Sequence, residues 1–296
     1  MLKLGLIGLS EGNGHPYSWA AIFNGYDKKA MEHCGFPVIP RYLEQQSWPK
    51  SQIPGALVTS VWTQKEAISE HIAKSAHIER IELLPEDMLG RIDALLLARD
   101  DAKNHWRFAA PFLKAGIPVY IDKPIALSVA ELNNLYELQS FPGQIFTCSA
   151  MRYSKELILS DFDREIVGDI KQIVACTPKS WEKYAVHIIE PVLKLLPSDD
   201  EVVSHKLLRN QGEKRTLSVF WKSGIATTFS TLGENASPVM IKVIGTLSDK
   251  ELVFTDSFQA FKSALSDFVE GVEERSVKSS SSFNKAVVDL IEKGGE

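Results

Sequence analysis

Short apolar strands alternate with helices through the first half of this chain, and that alternation limits the folds it can adopt. Apolar runs predict strands at Leu4–Leu9, Ala56–Trp62, Ile92–Ala98, Ile117–Ile121 and Gln144–Ala150. Helices are predicted at Trp19–Cys34, Gln64–Ser75, Asn104–Ala115 and from a capping Ser128 to Leu138. Such alternation produces a parallel sheet with right-handed crossovers. Residues 1–124, with a final helix and strand to about residue 150, are therefore predicted to form a doubly wound α/β domain.

The second half of the chain has a different pattern, because several of its segments look like consecutive strands. These predicted strands are Ile170–Cys176, Glu201–Leu208, Thr216–Trp221, Ile225–Leu232 and Met240–Ile244. Leu217, Val219 and Trp221 alternate with polar residues, which is typical of an antiparallel sheet with one covered and one open face. Helices are predicted at Tyr153–Glu165, Phe258–Glu273 and Phe283–Glu292. Residues 151–296 are therefore predicted to be an α+β domain.

Composition excludes several classes of function. The 296 residues carry a net charge of −5, so the chain lacks the basic surface that nucleic acids require. No apolar run reaches the length of a membrane span, and the apolar start of the chain lacks the cleavage pattern of a signal peptide. Cys34, Cys148 and Cys176 are widely spaced, which fits a reducing cytoplasm and excludes a CxxC metal site. We expect a cytoplasmic protein without a metal.

Lys123 follows an apolar strand and precedes Pro124, which ends the strand by removing a backbone donor. The lysine is thus expected at the carboxyl end of a parallel strand, the edge where open α/β sheets bind their ligands. The restricted backbone before a proline indicates a positioned chemical group rather than a solvated surface charge.

A glycine-rich turn follows the first predicted strand. Gly8, Gly12 and Gly14 can supply the positive φ angles and the close backbone approach that a pyrophosphate needs at a helix N-terminus, here expected at a capping Ser18. Their spacing, GxxxGxG, departs from the dinucleotide signature GxGxxG. A loop that merely turns is the alternative to dinucleotide binding. His15, just after this turn, is a candidate pocket residue.

The end of the second predicted strand lacks the acidic residue that usually binds the adenosine ribose of NAD. Thr63 and Lys65 occupy that region, and a cation there favours the 2′-phosphate of NADP. Alternatively, the Lys65 side chain points to water and does not contact the cofactor. Before this strand, residues 35–55 form a long connection rich in proline and aromatic residues, which is either a lid or wall over the site or a passive insertion.

Together these features resemble the Gfo/Idh/MocA family of nicotinamide-dependent oxidoreductases. The segments that carry the resemblance are the glycine-rich turn, Ala98–His105, Asp122–Pro124, Ile166–Ile170 and a histidine helix at Tyr184–Glu190. The resemblance implies an N-terminal Rossmann domain, a second domain that binds substrate and forms oligomers, and cofactor contacts from Ala98, His105 and Lys123. From the sequence alone, His105 could equally cap the helix that begins at Asn104.

The family resemblance also implies an acid/base histidine. Sugar and inositol dehydrogenases of this family carry Asp-x-x-x-His on the corresponding helix, and His187 matches the histidine. Lys183 stands at the aspartate position, so the assisting role passes to Tyr184 or Glu190. Lys183, Tyr184 and Arg152 are candidate substrate contacts. The alternatives are a hydrogen-bonded core histidine and an Arg152 that pairs with another residue.

The sequence thus predicts an NAD(P)-dependent oxidoreductase, leaning toward NADP, that acts on a sugar, an inositol or a sugar derivative. Lys123 would stabilise the developing alkoxide, and His187 would take the proton, with Tyr184 assisting. Two alternatives remain: a redox-neutral glycosidase or eliminating enzyme that holds its cofactor tightly, and a non-catalytic regulator that binds a dinucleotide or a sugar. The open sheet predicts a homodimer or homotetramer.

Overall fold

Six parallel strands form the sheet of the N-terminal half. The computed structural model describes residues 1–209 and 214–295. Within these, the strands are β1 Leu2–Ile7, β2 Ala56–Trp62, β3 Arg80–Ile81, β4 Ala94–Leu97, β5 Val119–Ile121 and β6 Ile145–Phe146. Their order is β3-β2-β1-β4-β5-β6, and every pairing is parallel. The chain therefore switches direction between β1 and β4, and the predicted doubly wound sheet of a Rossmann-type domain is confirmed.

Six helices connect or flank these strands. They are α1 His15–Asn24, α2 Lys28–Met31, α3 Val38–Glu44, α4 Glu66–Ser75, α5 His105–Lys114 and α6 Val129–Tyr136. Helix α5 ends where the sequence predicts, because Gly116 has the positive φ of +76° that follows many helix C-termini. Helix α1 begins earlier than predicted: Gly14, and not Ser18, is its N-cap, and Pro16 lies in the first turn, where proline is favoured.

The second sheet also has six strands. They are β7 Ile170–Thr177, β8 Val202–Arg209, β9 Arg215–Trp221, β10 Ala226–Thr231, β11 Met240–Gly245 and β12 Asp249–Val253. The order is β12-β11-β7-β10-β9-β8, and β7 pairs with β10 in parallel while the other pairings are antiparallel. The sheet is thus mostly antiparallel, as predicted, but mixed. Strand β12 was not predicted.

Strand β9 has one buried and one exposed face. Val219 and Trp221 are both buried, whereas their neighbour Phe220 is 55% exposed. Successive residues of a strand point to opposite faces, so Phe220 shares its face with Ser218 and Thr216. The large apolar side chain on the exposed face of β9 is therefore Phe220, and Val219 and Trp221 lie on the covered face.

Among the described residues after β6 there are five further α-helices: α7 Asp161–Val167, α8 Trp181–Tyr184, α9 Val186–Leu193, α10 Ser257–Glu274 and α11 Ser281–Gly295. The prediction of a single helix over Tyr153–Glu165 is wrong. Short 3₁₀ turns end at Tyr153 and Leu157. Helix α7 then begins at Asp161 and is capped by Ser160, whose hydroxyl accepts from the Asp163 N–H in a capping box.

The chain forms two compact units. The first contains residues 1–126, 130–148 and 261–281, and the second contains residues 127–129, 149–260 and 282–295. Most of α10 thus packs with the Rossmann-type sheet. Phe268 of this helix lies against Tyr120 of β5 and Phe146 of β6, with ring centroids 5.5 and 5.6 Å away.

Candidate active site

Lys123 lies just beyond the carboxyl end of β5, as the sequence predicts, and is only 5% exposed. Its Nζ is 3.7 Å from Oδ2 of Asp100, a buried residue just beyond β4. The other oxygen of Asp100 accepts a 2.6 Å hydrogen bond from the Ser10 hydroxyl in the turn after β1. Lys123 is thus a buried cation beside a buried anion, at the sheet edge where this type of fold binds ligands.

Asp122, the residue before Lys123, is the centre of a second cluster. Its Oδ2 accepts hydrogen bonds from Asn13 Nδ2 at 2.8 Å and from His15 Nδ1 at 2.6 Å, and its Oδ1 accepts from the Lys123 N–H at 2.7 Å. Burial alone would raise the pKa of this carboxyl group. Its partners His15, Lys123 and Asn13 outweigh burial and hold the pKa of Asp122 well below its usual range. Asp122 is therefore a carboxylate at neutral pH.

The ring of His15 is fixed on several sides. It stacks on Trp19 with centroids 5.1 Å apart and meets Phe261 edge-on at 5.0 Å. Its side chain is 17% exposed, whereas that of Asp122 is 1% exposed. The histidine that follows the glycine-rich turn therefore has one nitrogen bound to a buried carboxylate.

Of the three glycines in the turn, only Gly12 has a positive φ, at +76°. No atom lies within 4 Å of the position that a Cβ would take at Gly12. A Cβ at Gly8 would lie 2.4 Å from Cγ of Pro16, and one at Gly14 would lie 2.6 Å from Cδ1 of Ile39. Gly8 and Gly14 are thus required by packing within the protein, and Gly12 alone leaves open space.

The turn departs from the dinucleotide signature at two positions. Counted from Gly8, the second and third glycines of GxGxxG are replaced by Ser10 and Asn13. Their side chains point into the protein, toward Asp100 and Asp122. The start of α1 offers few backbone donors, because Pro16 has no N–H and Asn13 Oδ1 accepts the His15 N–H.

A nicotinamide cofactor still fits the residues present at this edge. The open space beside Gly12 lets a pyrophosphate come close to the backbone, as a dinucleotide requires. Lys123 and Asp100 supply charged groups beyond the ends of β5 and β4. Gly12 would hold the phosphates, and Lys123 would lie beside the reacting group. The cofactor would supply the hydride acceptor.

The region after β2 is occupied by internal hydrogen bonds. The Thr63 hydroxyl donates to the Lys65 carbonyl and contacts the Ser69 hydroxyl at 2.9 Å. Gln64 accepts from the Leu9 N–H and from Arg99. Lys65 is exposed and is the N-cap of α4. Of the two residues predicted to bind the ribose, only Lys65 has an exposed side chain.

Ala98, Arg99 and His105 follow β4. Ala98 is fully buried, and its N–H donates to the Ile7 carbonyl. Arg99 binds both carboxylate oxygens of Asp101, at 2.9 and 2.6 Å. His105 is also fully buried, with its two ring nitrogens 3.0 and 2.7 Å from the carbonyl oxygens of Ile125 and Arg99. The His105 ring therefore links the segments after β4 and β5.

His187 lies on α9 of the second unit and is 7% exposed. Its Nδ1 is 2.7 Å from the hydroxyl oxygen of Ser149, which also accepts from the Met151 N–H. The rings of His187 and Tyr184 meet edge to face with centroids 5.1 Å apart, and Glu190 accepts from the Ser149 N–H at 2.9 Å. Ser149 thus contacts both His187 and Glu190, and sequence reasoning missed it.

Arg152 forms a buried ion pair with Glu190, in which Nε lies 2.7 Å from Oε2. Burial raises the pKa of Glu190, and the opposing charge of Arg152 does not restore it to its ordinary range. The Arg152 guanidinium also lies 4.6 Å from the ring centroid of Phe283. The sequence left open whether Arg152 contacts the substrate or pairs with another residue. In the structure it pairs with Glu190.

Tyr184 and Lys183 end α8. The Tyr184 hydroxyl accepts a 2.7 Å hydrogen bond from Lys179, whose Nζ also lies 4.7 Å from the ring centroid. Lys183 is half-buried. Sequence reasoning did not single out Lys179.

A cavity of about 640 Å³ lies at the opposite edge of the parallel sheet. Its lining includes Asp93, Pro118 and Gly143, which precede β4, β5 and β6. It contains none of the predicted site residues.

Within the described part of the chain, no helix is long and apolar enough to cross a membrane.

Comparison with known proteins identifies the Rossmann domain. A family model described as an oxidoreductase family with an NAD-binding Rossmann fold, GFO_IDH_MocA, matches residues 39–148. Residues 39–148 thus resemble the Gfo/Idh/MocA family. The resemblance inferred from the sequence motifs is thus confirmed. The match includes Asp122–Pro124 but not the unusual turn after β1.

Solved Gfo/Idh/MocA-like structures extend the likeness to the whole fold. Myo-inositol 2-dehydrogenase from Lactobacillus plantarum has a TM-score of 0.74 and 15% identity, over 99% of this chain and 96% of that chain. Myo-inositol dehydrogenase from Lactobacillus casei, solved with NAD(H) and myo-inositol, has a TM-score of 0.72 and 15% identity, over 99% of this chain and 93% of that chain. A 3-ketoreductase from Actinomadura kijaniata, solved with NADP, has a TM-score of 0.73 and 13% identity, over 99% of this chain and 97% of that chain. No curated protein matches the sequence.

Proposed function

We propose that this protein is an NAD(P)-dependent oxidoreductase that transfers a hydride between the nicotinamide and a hydroxyl or carbonyl carbon of a sugar, an inositol or a sugar derivative. The observation that carries the proposal is the buried Lys123, paired with Asp100 at the carboxyl edge of a sheet whose domain resembles an NAD-binding family. A buried ammonium group there can hydrogen-bond the substrate oxygen and stabilise the charge of a developing alkoxide.

The substrate class is supported by the structural relatives. Their names include myo-inositol dehydrogenases and a UDP-N-acetylglucosamine 3-dehydrogenase from Acidithiobacillus ferrooxidans. We propose that Lys183 and Tyr184 contact the substrate. Arg152 is a weaker candidate, because its guanidinium already neutralises Glu190.

The function is tested by incubating the protein with NAD⁺ or NADP⁺ and a panel of inositols, sugars and sugar nucleotides. The absorbance band of the reduced nicotinamide should grow with a polyol substrate. In the reverse direction, deuterium from C4 of the reduced cofactor should appear on the carbinol carbon of the product. Turnover without net cofactor reduction would instead support the redox-neutral enzyme. Dinucleotide binding with no turnover of any substrate would support the regulator.

The cofactor preference is a separate proposal. We propose that NADP is accepted, because the acid that repels a 2′-phosphate is missing after β2 and Lys65 is exposed there. Titration of NADH and NADPH against the wild type and Lys65→Ala tests it. Lys65→Ala should weaken NADPH binding and leave NADH binding unchanged. A preference for NADH that Lys65→Ala does not alter would contradict it.

A further inference from the structure

His187 and His15 each have a ring nitrogen within hydrogen-bonding distance of a buried side chain near a predicted site residue. Nδ1 of His187 lies 2.7 Å from the hydroxyl of Ser149, and Nδ1 of His15 lies 2.6 Å from the carboxylate of Asp122. The partners differ in charge: a serine hydroxyl is neutral, and Asp122 is ionised.

We propose that His15, oriented by Asp122, is the general acid/base of the oxidoreductase reaction. The inference rests on the proposed function. In the oxidative direction the substrate O–H bond breaks and its proton forms an N–H bond at Nε2 of His15. The carbinol C–H bond breaks at the same time, its electron pair leaves with the hydride for NAD(P)⁺, and the carbon becomes a carbonyl.

The charge of Asp122 favours His15 as the base. A base that accepts a proton becomes an imidazolium, and an adjacent carboxylate stabilises that cation. Asp122 supplies such an anion 2.6 Å from Nδ1 of His15. Protonation of His15 therefore forms an ion pair with Asp122.

The hydrogen bond to Asp122 also fixes which nitrogen reacts. Asp122 is a carboxylate, so it accepts and Nδ1 of His15 donates, which places the lone pair of the neutral ring on Nε2. No partner of Nε2 is found among residues 1–209 and 214–295. The 17% exposure of the side chain leaves room for contact with a small molecule.

The surroundings of His15 hold the ring without competing for its proton. Trp19 from α1 and Phe261 from α10, which face the ring, are uncharged. The charged groups nearby are Asp122 and, beyond it, Lys123 and Asp100 at the ends of β5 and β4. The residue that orients the base thus directly precedes the lysine proposed to bind the substrate oxygen.

The test compares His15→Asn with His187→Asn in the substrate assay, with His33→Asn as the control. His33 is an exposed histidine whose Nδ1 lies 2.8 Å from the carbonyl oxygen of Lys29. His15→Asn should lower kcat/KM for oxidation by about 10²-fold or more, while His187→Asn costs less and His33→Asn costs nothing. The wild-type kcat/KM should rise with pH as the imidazole loses its proton, and His15→Asn should lack this rise. Fluorescence titration should show that His15→Asn still binds NADH.

Two further variants keep the proposal testable if His15→Asn is unstable. Added imidazole should restore part of the rate of His15→Ala, which a purely structural histidine would not permit. Asp122→Asn should also reduce the rate by about 10²-fold or more, because the carboxylate no longer stabilises the imidazolium. An active wild type with an unchanged rate and pH profile in His15→Asn would overturn the proposal and leave the proposed function standing. A wild type without turnover on any substrate would overturn both.

Discussion

At the scale of single residues, Asp122 shows how a buried charge joins distant parts of the chain. It binds Asn13, 109 positions away, and His15, 107 positions away. Because its pKa is lower in the folded than in the unfolded protein, folding favours the ionised form. The resulting stabilisation is fully present above the unfolded pKa of about 4 and is lost as the pH falls below it.

This linkage predicts a measurable difference between Asp122→Asn and the wild type. The free energy of unfolding of the wild type should fall more steeply below about pH 5 than that of Asp122→Asn. Urea denaturation at several pH values measures it. Asp199→Asn, at an exposed residue, serves as the control and should follow the wild type. Parallel pH dependence in all three proteins would show that Asp122 is not the group responsible.

Ser149 holds Nδ1 of His187, and its loss has a predictable cost. In Ser149→Ala, the buried hydrogen bond between these two residues is lost. A hydrogen bond within a protein contributes about 0.5–1.5 kcal/mol net, so the free energy of unfolding should fall by about that amount. Chemical denaturation measures the change. A free energy of unfolding equal to that of the wild type would mean that water replaces the hydroxyl.

The contacts of these residues could not be read from the sequence. Lys123 was predicted because a strand and a proline place it at a sheet edge. Asp100 and Ser149 were missed because each contacts a residue far away along the chain, and a lone aspartate or serine after a strand has no distinguishing local pattern. His15 was noted only for its position after the turn, since nothing local indicates the carboxylate of Asp122 beside it.

At the scale of secondary-structure elements, the segment of residues 35–55 packs against the glycine-rich turn. Helix α3 lies within it, and its Ile39, together with Phe36, closely surrounds Gly14. Tyr42 of α3 donates a hydrogen bond to the Ser18 hydroxyl on α1. The segment is thus ordered structure that packs on the start of α1. Whether it covers a bound ligand stays a prediction.

Gly14→Ala tests this packing. A Cβ there would lie 2.6 Å from Cδ1 of Ile39 and 2.7 Å from Cγ of Phe36, so both side chains would have to move. Overpacking of this kind costs about 1–3 kcal/mol, which should appear as a lower midpoint of urea denaturation. Adding Ile39→Ala to Gly14→Ala should cost less than the sum of the two single changes. Strictly additive effects would contradict the contact.

Elements were predicted well where local patterns were clear. Ten of the twelve described strands follow from apolar runs and alternation, and Gly116 marks the end of α5. The exceptions, β3 and β12, are short and mostly exposed. The start of α1 was misplaced because Ser18 has the side chain of an N-cap, although Pro16 favours an earlier start. Residues 153–165 were assigned one helix because the capping box at Ser160 was overlooked.

At the scale of the whole molecule, we propose that the open face of the second sheet joins copies of the chain. Phe220 is 55% exposed there, and exposed apolar side chains on a broad sheet face favour association. The flanking strands place Ser204 and Ala226 opposite Phe220, so a partner would find mostly small side chains around one large aromatic ring.

Light scattering of Phe220→Glu tests this assembly. The wild type should be a dimer or tetramer, and the buried charge should shift Phe220→Glu toward the monomer. Phe162→Glu provides a matched control, because Phe162 is 70% exposed but lies on α7. A wild type that is monomeric at micromolar concentration would contradict the proposed interface.

The central claim is that Lys123 takes part in hydride transfer, and the single-turnover rate of Lys123→Met tests it most directly. The substrate found in the screen is mixed with enzyme and cofactor, and formation of the reduced nicotinamide is followed by stopped flow. Loss of the charged group should lower the rate by about 10²-fold or more, because its interaction strengthens as the alkoxide develops, while cofactor binding remains. A Lys123→Met enzyme that transfers hydride at the wild-type rate would contradict the account.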